Sequence, residues 1–222
     1  AILILVAVIM STIMTTVIGQ SIGILQSMRI QQAAGLNGNR YATFHQLGKE
    51  QAQKLHEDDR LYDVGDTIFI GSTPLGNSSL SLYLREYHDN ALSMYPAIGN
   101  VKEGRLPEEA IEIALSEDAL QYLGLDAVIG DTVSLDLSVS VMDGSLSELE
   151  YSADFVLTGI LESSYIGYAS GTVEGIVGEG TAEELLPEEY LLYSTDFKTY
   201  DKQNFQSIIY ALAEDLNVDE RY

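Results

Sequence analysis

Val133-Ser134-Leu135-Asp136-Leu137-Ser138-Val139-Ser140-Val141, then Asp143-Gly144, then Leu149-Glu150-Tyr151-Ser152-Ala153-Asp154-Phe155-Val156-Leu157: this stretch decides the fold. Side chains of a strand alternate between its two faces. Val133, Leu135, Leu137, Val139 and Val141 therefore share one face, and serines and Asp136 take the other. Leu149, Tyr151, Ala153, Phe155 and Leu157 repeat the pattern after the turn signal. Two alternating runs around Asp-Gly predict a β-hairpin with one dry face.

On the N-terminal side of this hairpin, Ile111, Ile113 and Leu115 alternate with Glu112 and Ala114, a short strand with one wet face. Ser116 is placed to cap a helix whose positive end favours Glu117 and Asp118. Leu120 and Leu123 give that helix its apolar side, and Gly124 stops it. Earlier still, 40–47 reads as a strand, 48–57 as a helix, 64–70 as a strand and 71–79 as a loop. Leu80, Leu82 and Leu84 alternate with Ser81, Tyr83 and Arg85, a further strand. The stretch 90–104 has no clear period. On the C-terminal side, 190–197 reads as a strand, and Asp201 as the cap of a helix carrying Phe205, Ile208, Ile209, Leu212 and Leu216. Strands and short helices mix without a βαβ rhythm, which predicts an α+β fold.

The opening of the chain has a different character. Ala1 to Met28 contains no charged residue; the first is Arg29. A helix needs roughly 20 apolar residues to cross the hydrocarbon core. The stretch 1–28 is thus expected to be a transmembrane helix, continuing through 19–34 as a stalk that Gly35, Asn37, Gly38 and Asn39 end. The apolar run is too long for a signal peptide and lacks a clear cleavage site. The chain starts without Met, so it is expected to be a piece of a longer protein.

Charge and composition exclude several function classes. There are 34 acidic against 11 basic residues, a net charge of -23. Such a field repels phosphate backbones, so nucleic acid is excluded as a partner. The absence of Cys removes disulfides, thiolate metal sites and thiol nucleophiles. His45, His56 and His88 lack the spacing of a helical zinc pair, and no metal site is expected. No phosphate-binding loop of the G-x-x-x-x-G-K-[ST] type and no G-x-S-x-G elbow occur. Gly175 to Gly180 is Gly-rich without a Lys and is expected to be a mobile loop. Acidic groups such as Glu57/Asp58/Asp59, Glu183/Glu184 and Glu188/Glu189 are adjacent in sequence, unlike carboxylates facing each other across a cleft. No catalytic residue and no cofactor are therefore expected. Fourteen Tyr against no Trp stands out. Tyr83, Tyr87 and Tyr95, together with Tyr165 and Tyr168, are the candidate partner surface, because Tyr combines an apolar ring with a polar tip.

One series of short motifs resembles a known family. Glu103-Gly104-Arg105-Leu106-Pro107, Glu112-Ile113-Ala114-Leu115-Ser116, Leu123-Gly124-Leu125 and Ile129-Gly130-Asp131-Thr132-Val133 follow in order. This resembles the extracytoplasmic domain of MacB/FtsX-type ABC transporter permeases, which also follows directly on a first membrane helix. The resemblance implies a two-lobed outer domain. Segments 29–100 and 163–222 would form the membrane-proximal α+β lobe, and 101–162 an inserted, mainly β lobe. It also implies a non-enzymatic permease subunit in the cell membrane, with its outer domain coupling ATP hydrolysis to export or release of a peptide- or lipid-like substrate. The implied partners are a cytoplasmic ABC ATPase subunit or domain, a second permease copy and membrane lipid. The alternative is a membrane-anchored receptor or sensor for cationic peptides or a cell-wall partner.

Overall fold

The computed structural model describes residues 38–143, 145–163 and 171–218. The expected membrane helix at 1–28 lies outside them. No helix among the described residues is long and apolar enough to cross a membrane.

The described elements, in chain order, are β1 (Ala42–Leu47), α1 (Lys49–His56), β2 (Leu61–Pro74), β3 (Ser81–Tyr87), a 3-10 turn (Leu92–Met94), β4 (Val101–Gly104), β5 (Glu112–Ser116), α2 (Glu117–Leu123), β6 (Thr132–Asp143), β7 (Ser145–Leu161), β8 (Thr172–Val177), α3 (Thr181–Leu185), a 3-10 turn (Glu188–Tyr190), β9 (Tyr193–Thr199) and α4 (Phe205–Leu216). The fold is α+β, with a nine-stranded mixed sheet and short helices.

The expected hairpin forms as β6 and β7, antiparallel, with Val133 opposite Phe155, Leu135 opposite Ala153 and Leu137 opposite Tyr151. All but Tyr151 of these are buried. The hairpin also completes a ring. β7 pairs with β5, β5 with β8, β8 with β3, β3 with β2, and β2 returns to β6 at Ser72 opposite Ser138. The main core contains Ile68, Ile70, Leu82, Leu84, Leu115, Leu135, Leu137, Phe155 and Leu157, contributed by strands all around this ring. Tyr151 locks the closure: its hydroxyl donates to the Ile70 carbonyl at 2.7 Å. Strands β9 and β1 extend the sheet beyond β2, and β4 extends it beyond β7.

Local signals explain the helix boundaries. Ser116 Oγ accepts from the Ala119 N–H at 3.2 Å, and Gly124 ends α2 in the left-handed region at φ 72.

Four expectations are corrected. β2 runs on to Pro74, through a register shift between Phe69 and Gly71, so the loop begins later than 71. β5 has no wet face: Ile113, Ala114, Leu115 and Ser116 are all buried. One side meets the main core, and the other meets a second cluster in which Ile98, Val101 and Leu106 pack on Ala114, Leu161 and Ile176. Gly175 and its neighbours are no loop, because Thr172–Val177 is β8, parallel to β3 and central to the sheet. Glycine is required there: a Cβ on Gly175 would lie 2.6 Å from Leu84 Cδ2 and 2.8 Å from Leu115 Cδ2. Asp201 does not cap the last helix directly. Its carboxylate accepts from the Gln203 and Asn204 N–H groups, a turn that delivers the chain to Asn204, the residue at the cap.

Candidate functional site

Where β1, β9, β2, β3 and β8 lie side by side, their outward side chains form one continuous polar and aromatic face. The register fixes the neighbours: Thr43 opposite Asp196, Thr67 opposite Ser194 and Tyr87, Phe69 opposite Arg85, and Tyr83 opposite Glu174. In β3 the alternation is strict. Leu82, Leu84 and Glu86 turn inward and are buried, while Tyr83, Arg85 and Tyr87 turn outward and stay half-buried. The segment carrying Tyr95, Ala97 and Ile98 lies over part of this face and encloses a cleft of about 400 Å³. Leu161 and Glu162, at the end of β7, bound its far side.

Two ion pairs set the charge of the cleft. At the β9 end, Arg40 Nε lies 2.9 Å from Asp196 Oδ1. Thr43 Oγ1 also donates to that carboxylate, as does Tyr95 OH at 2.6 Å. Burial and the Asp196 charge push the Tyr95 hydroxyl up to about 12, so it stays a proton donor. At the β8 end, Arg85 Nη1 donates to Glu174 Oε1. Burial works against the Arg85 charge, but Glu174 outweighs it and holds the guanidinium above its usual value. Burial pushes the Glu174 carboxyl up against the pull of Arg85. Burial likewise drives the Tyr87 hydroxyl far above its ordinary range.

Of the tyrosines singled out from the sequence, Tyr87 and Tyr95 line this cleft and meet edge to face at 6.3 Å. Tyr83 stands beside it, 5.3 Å from the Phe69 ring, with the Arg85 guanidinium 5.7 Å from its centroid. Tyr165 and Tyr168 lie outside the described residues. Arg40, Thr67, Arg85, Glu174 and Asp196 were not singled out from the sequence. Arg85 and Glu174 come from segments far apart in the chain, and only the parallel pairing of β3 with β8 makes them neighbours.

A second cluster lies elsewhere. His56 on α1, Asp66 on β2 and Asp89 bring one nitrogen and two carboxylate oxygens within 4.8 Å of one another. These donors are of the kind that divalent cations accept. The cluster is also satisfied without an ion, since His56 Nε2 lies 2.9 Å from Asp66 Oδ2 and Thr195 Oγ1 donates to Asp66 Oδ1 at 2.6 Å. The Asp66 hydrogen bond holds the His56 pKa above its ordinary value. A histidine with a raised folded pKa adds stability that is fully present below its unfolded value, about 6.5, and is lost as pH rises through the folded one. With a chelator present, His56→Gln is expected to lower Tm by about 2–4 °C more at pH 5.5 than at pH 8. Thermal melts at the two pH values check this, and equal losses would refute it.

No family model matches the sequence, and no curated protein matches it. Among solved structures, the fold is similar to the periplasmic region of MacB from Actinobacillus actinomycetemcomitans, with a TM-score of 0.49 and 16% identity over 78% of this chain and 74% of that chain.

Proposed function

We propose that this chain is the first membrane span and the extracytoplasmic domain of an ABC transporter permease subunit of the MacB/FtsX type. Its role is mechanical: ATP hydrolysis on a separate cytoplasmic subunit or domain moves the membrane helices, and the outer domain transmits that motion to a peptide- or lipid-like substrate. It works beside a second permease copy, anchored in lipid, and performs no bond chemistry of its own.

One observation carries this reading: an uncharged stretch at 1–28 is followed by the motif series 103–133, and several of its residues have distinct structural tasks. Gly104, at φ 78, lets β4 approach β7 so closely that a Cβ would lie 2.3 Å from the Thr158 carbonyl. Arg105 holds Glu112 in an ion pair, which lowers the Glu112 carboxyl to about 2. Ser116 and Gly124 begin and end α2. Asp131 accepts from the Val128 N–H at 2.9 Å and shapes the turn into β6. The coupling route is short. Asn39 N–H donates to the Met94 carbonyl at 2.5 Å, Tyr41 N–H to the Phe197 carbonyl at 3.0 Å, and Arg40 grips Asp196. A displacement of the chain before Gly38 thus acts directly on β9 and on the segment covering the cleft.

The test is affinity capture of the protein from its own membranes in mild detergent, followed by mass spectrometry. A co-purifying nucleotide-binding ATPase is the expected result. Capture without any ATPase, with the protein intact and membrane-embedded, overturns the reading.

A further inference from the structure

The cleft on the β1–β9–β2–β3–β8 face carries polar groups that nothing around them satisfies. Thr67 is 8% exposed, lines the cleft, and its hydroxyl has no hydrogen-bond partner among the described residues. Glu174 gives one carboxylate oxygen to Arg85; the other is buried and has no partner among the described residues. A buried polar group left unmet is unfavourable. Both residues line the cleft, so its floor is polar and incompletely paired among the described residues.

Charge decides the kind of ligand. Arg40 is matched by Asp196, and Arg85 by Glu174. Glu162, exposed at the rim, has no ion-pair partner among the described residues, so the lining is acidic on balance. The chain's net charge of -23 adds a field that concentrates cations and repels anions. Glu162, the acid left over after pairing, sits at the Glu174 end of the cleft. Glu174 is on β8 and Glu162 follows β7, with Ser116 of β5 between them, so the backbones that carry them are two strand spacings apart, about 10 Å at about 4.8 Å per strand. Beside them the wall is apolar and aromatic: Tyr87, Tyr95, Ile98 and Leu161. Aromatic faces add attraction for a cation, and a cleft of about 400 Å³ is within the range of small-molecule sites.

We propose that this cleft binds a small organic cation, an amine or guanidinium on an apolar body, with its charged nitrogen between Glu162 and Glu174 and its body against Tyr87 and Ile98. Glu174, its side chain 18% exposed, and Glu162 supply the opposing charge. The inference stands on the cleft alone and holds whichever transporter or receptor the chain serves.

Three probes with the same phenyl body separate the possibilities: 2-phenylethylamine, 2-phenylethanol and 3-phenylpropionate. Each is titrated by calorimetry into the whole chain in detergent. The amine is expected to bind at least about 10-fold more tightly than the alcohol, with no binding of the carboxylate. Glu162→Gln, an exposed change expected to leave Tm unmoved, should weaken the amine several-fold. Glu174→Gln should weaken it about 10-fold while keeping an acceptor for Arg85. Equal binding of all three probes, or tighter binding of the carboxylate, overturns the proposal, because apolar partition or the two arginines would then dominate. So does amine binding that neither variant changes, and so does the absence of any binding at millimolar probe.

Discussion

Glu86→Ala is expected to lower the stability of the folded domain by about 3–5 kcal/mol, the range seen when one partner of a buried charged network is removed. Glu86 is 1% exposed on the inward side of β3. Its two oxygens accept from the Gly180 N–H at 2.9 Å and from the Ala182 N–H at 2.6 Å. His88 Nε2 lies 2.8 Å from the same carboxylate, which raises the histidine's pKa. This one side chain therefore fastens β3 to the entry of α3. Alanine leaves the Ala182 donor sealed in the core with nothing to bond, and the histidine without its counter-charge. Glu86→Gln, which can still accept one of the two bonds, should cost about 1–3 kcal/mol. Urea unfolding followed by circular dichroism measures both. A loss below about 1 kcal/mol for the alanine variant would show that water replaces the carboxylate and that the latch is not needed.

Gly159→Ala is expected to cost about 3 kcal/mol or more, through overpacking that cannot relax. A Cβ there would stand 2.2 Å from the Arg105 carbonyl oxygen and 3.1 Å from its carbon. Backbone cannot rotate aside as a flexible side chain does. β4 and the turn after it would have to leave β7, breaking the bond from Arg105 N–H to the Thr158 carbonyl at 3.0 Å. Two readouts capture this: the unfolding midpoint, and faster hydrogen exchange at Arg105 even where global stability holds. Gly124→Ala is the matched control. It lies in the left-handed region at φ 72 with nothing within 4 Å of the added atom. Only the conformational cost of about 1 kcal/mol applies there. Equal losses at the two glycines would mean that the close approach of β4 to β7 is not the constraint.

Much of the fold was legible because its signals are local. The alternation around Asp143-Gly144 specified β6 and β7 as a hairpin and which face of each is dry, since a slip by one residue would turn every apolar side chain to water. Ser116 and Gly124 marked the ends of α2 because a cap and a left-handed stop act within a few residues. β8 was illegible for the opposite reason. Gly175 and Gly178 read as a loop, yet Gly175 is small because Leu84 and Leu115 crowd it from other strands. The wet face expected for β5 failed likewise, since Glu112 and Ala114 alternate correctly but the 98–106 segment covers the second side.

The candidate site divides along the same line. Tyr83, Tyr87 and Tyr95 could be picked out as a cluster close in sequence, and two of them line the cleft. The sequence by itself determined the α+β class, the hairpin, the capped helix, the acidic charge and the uncharged opening stretch, because each follows from period, composition or neighbours a few residues away. Tertiary structure alone decided that β3 lies parallel to β8 and beside β2, which sets Arg85 against Glu174, and that β1 lies on β9, which sets Thr43 and Arg40 against Asp196. Strand partners are chosen by the burial of whole faces across the ring. That choice rests on contacts between distant residues, and no local pattern encodes it.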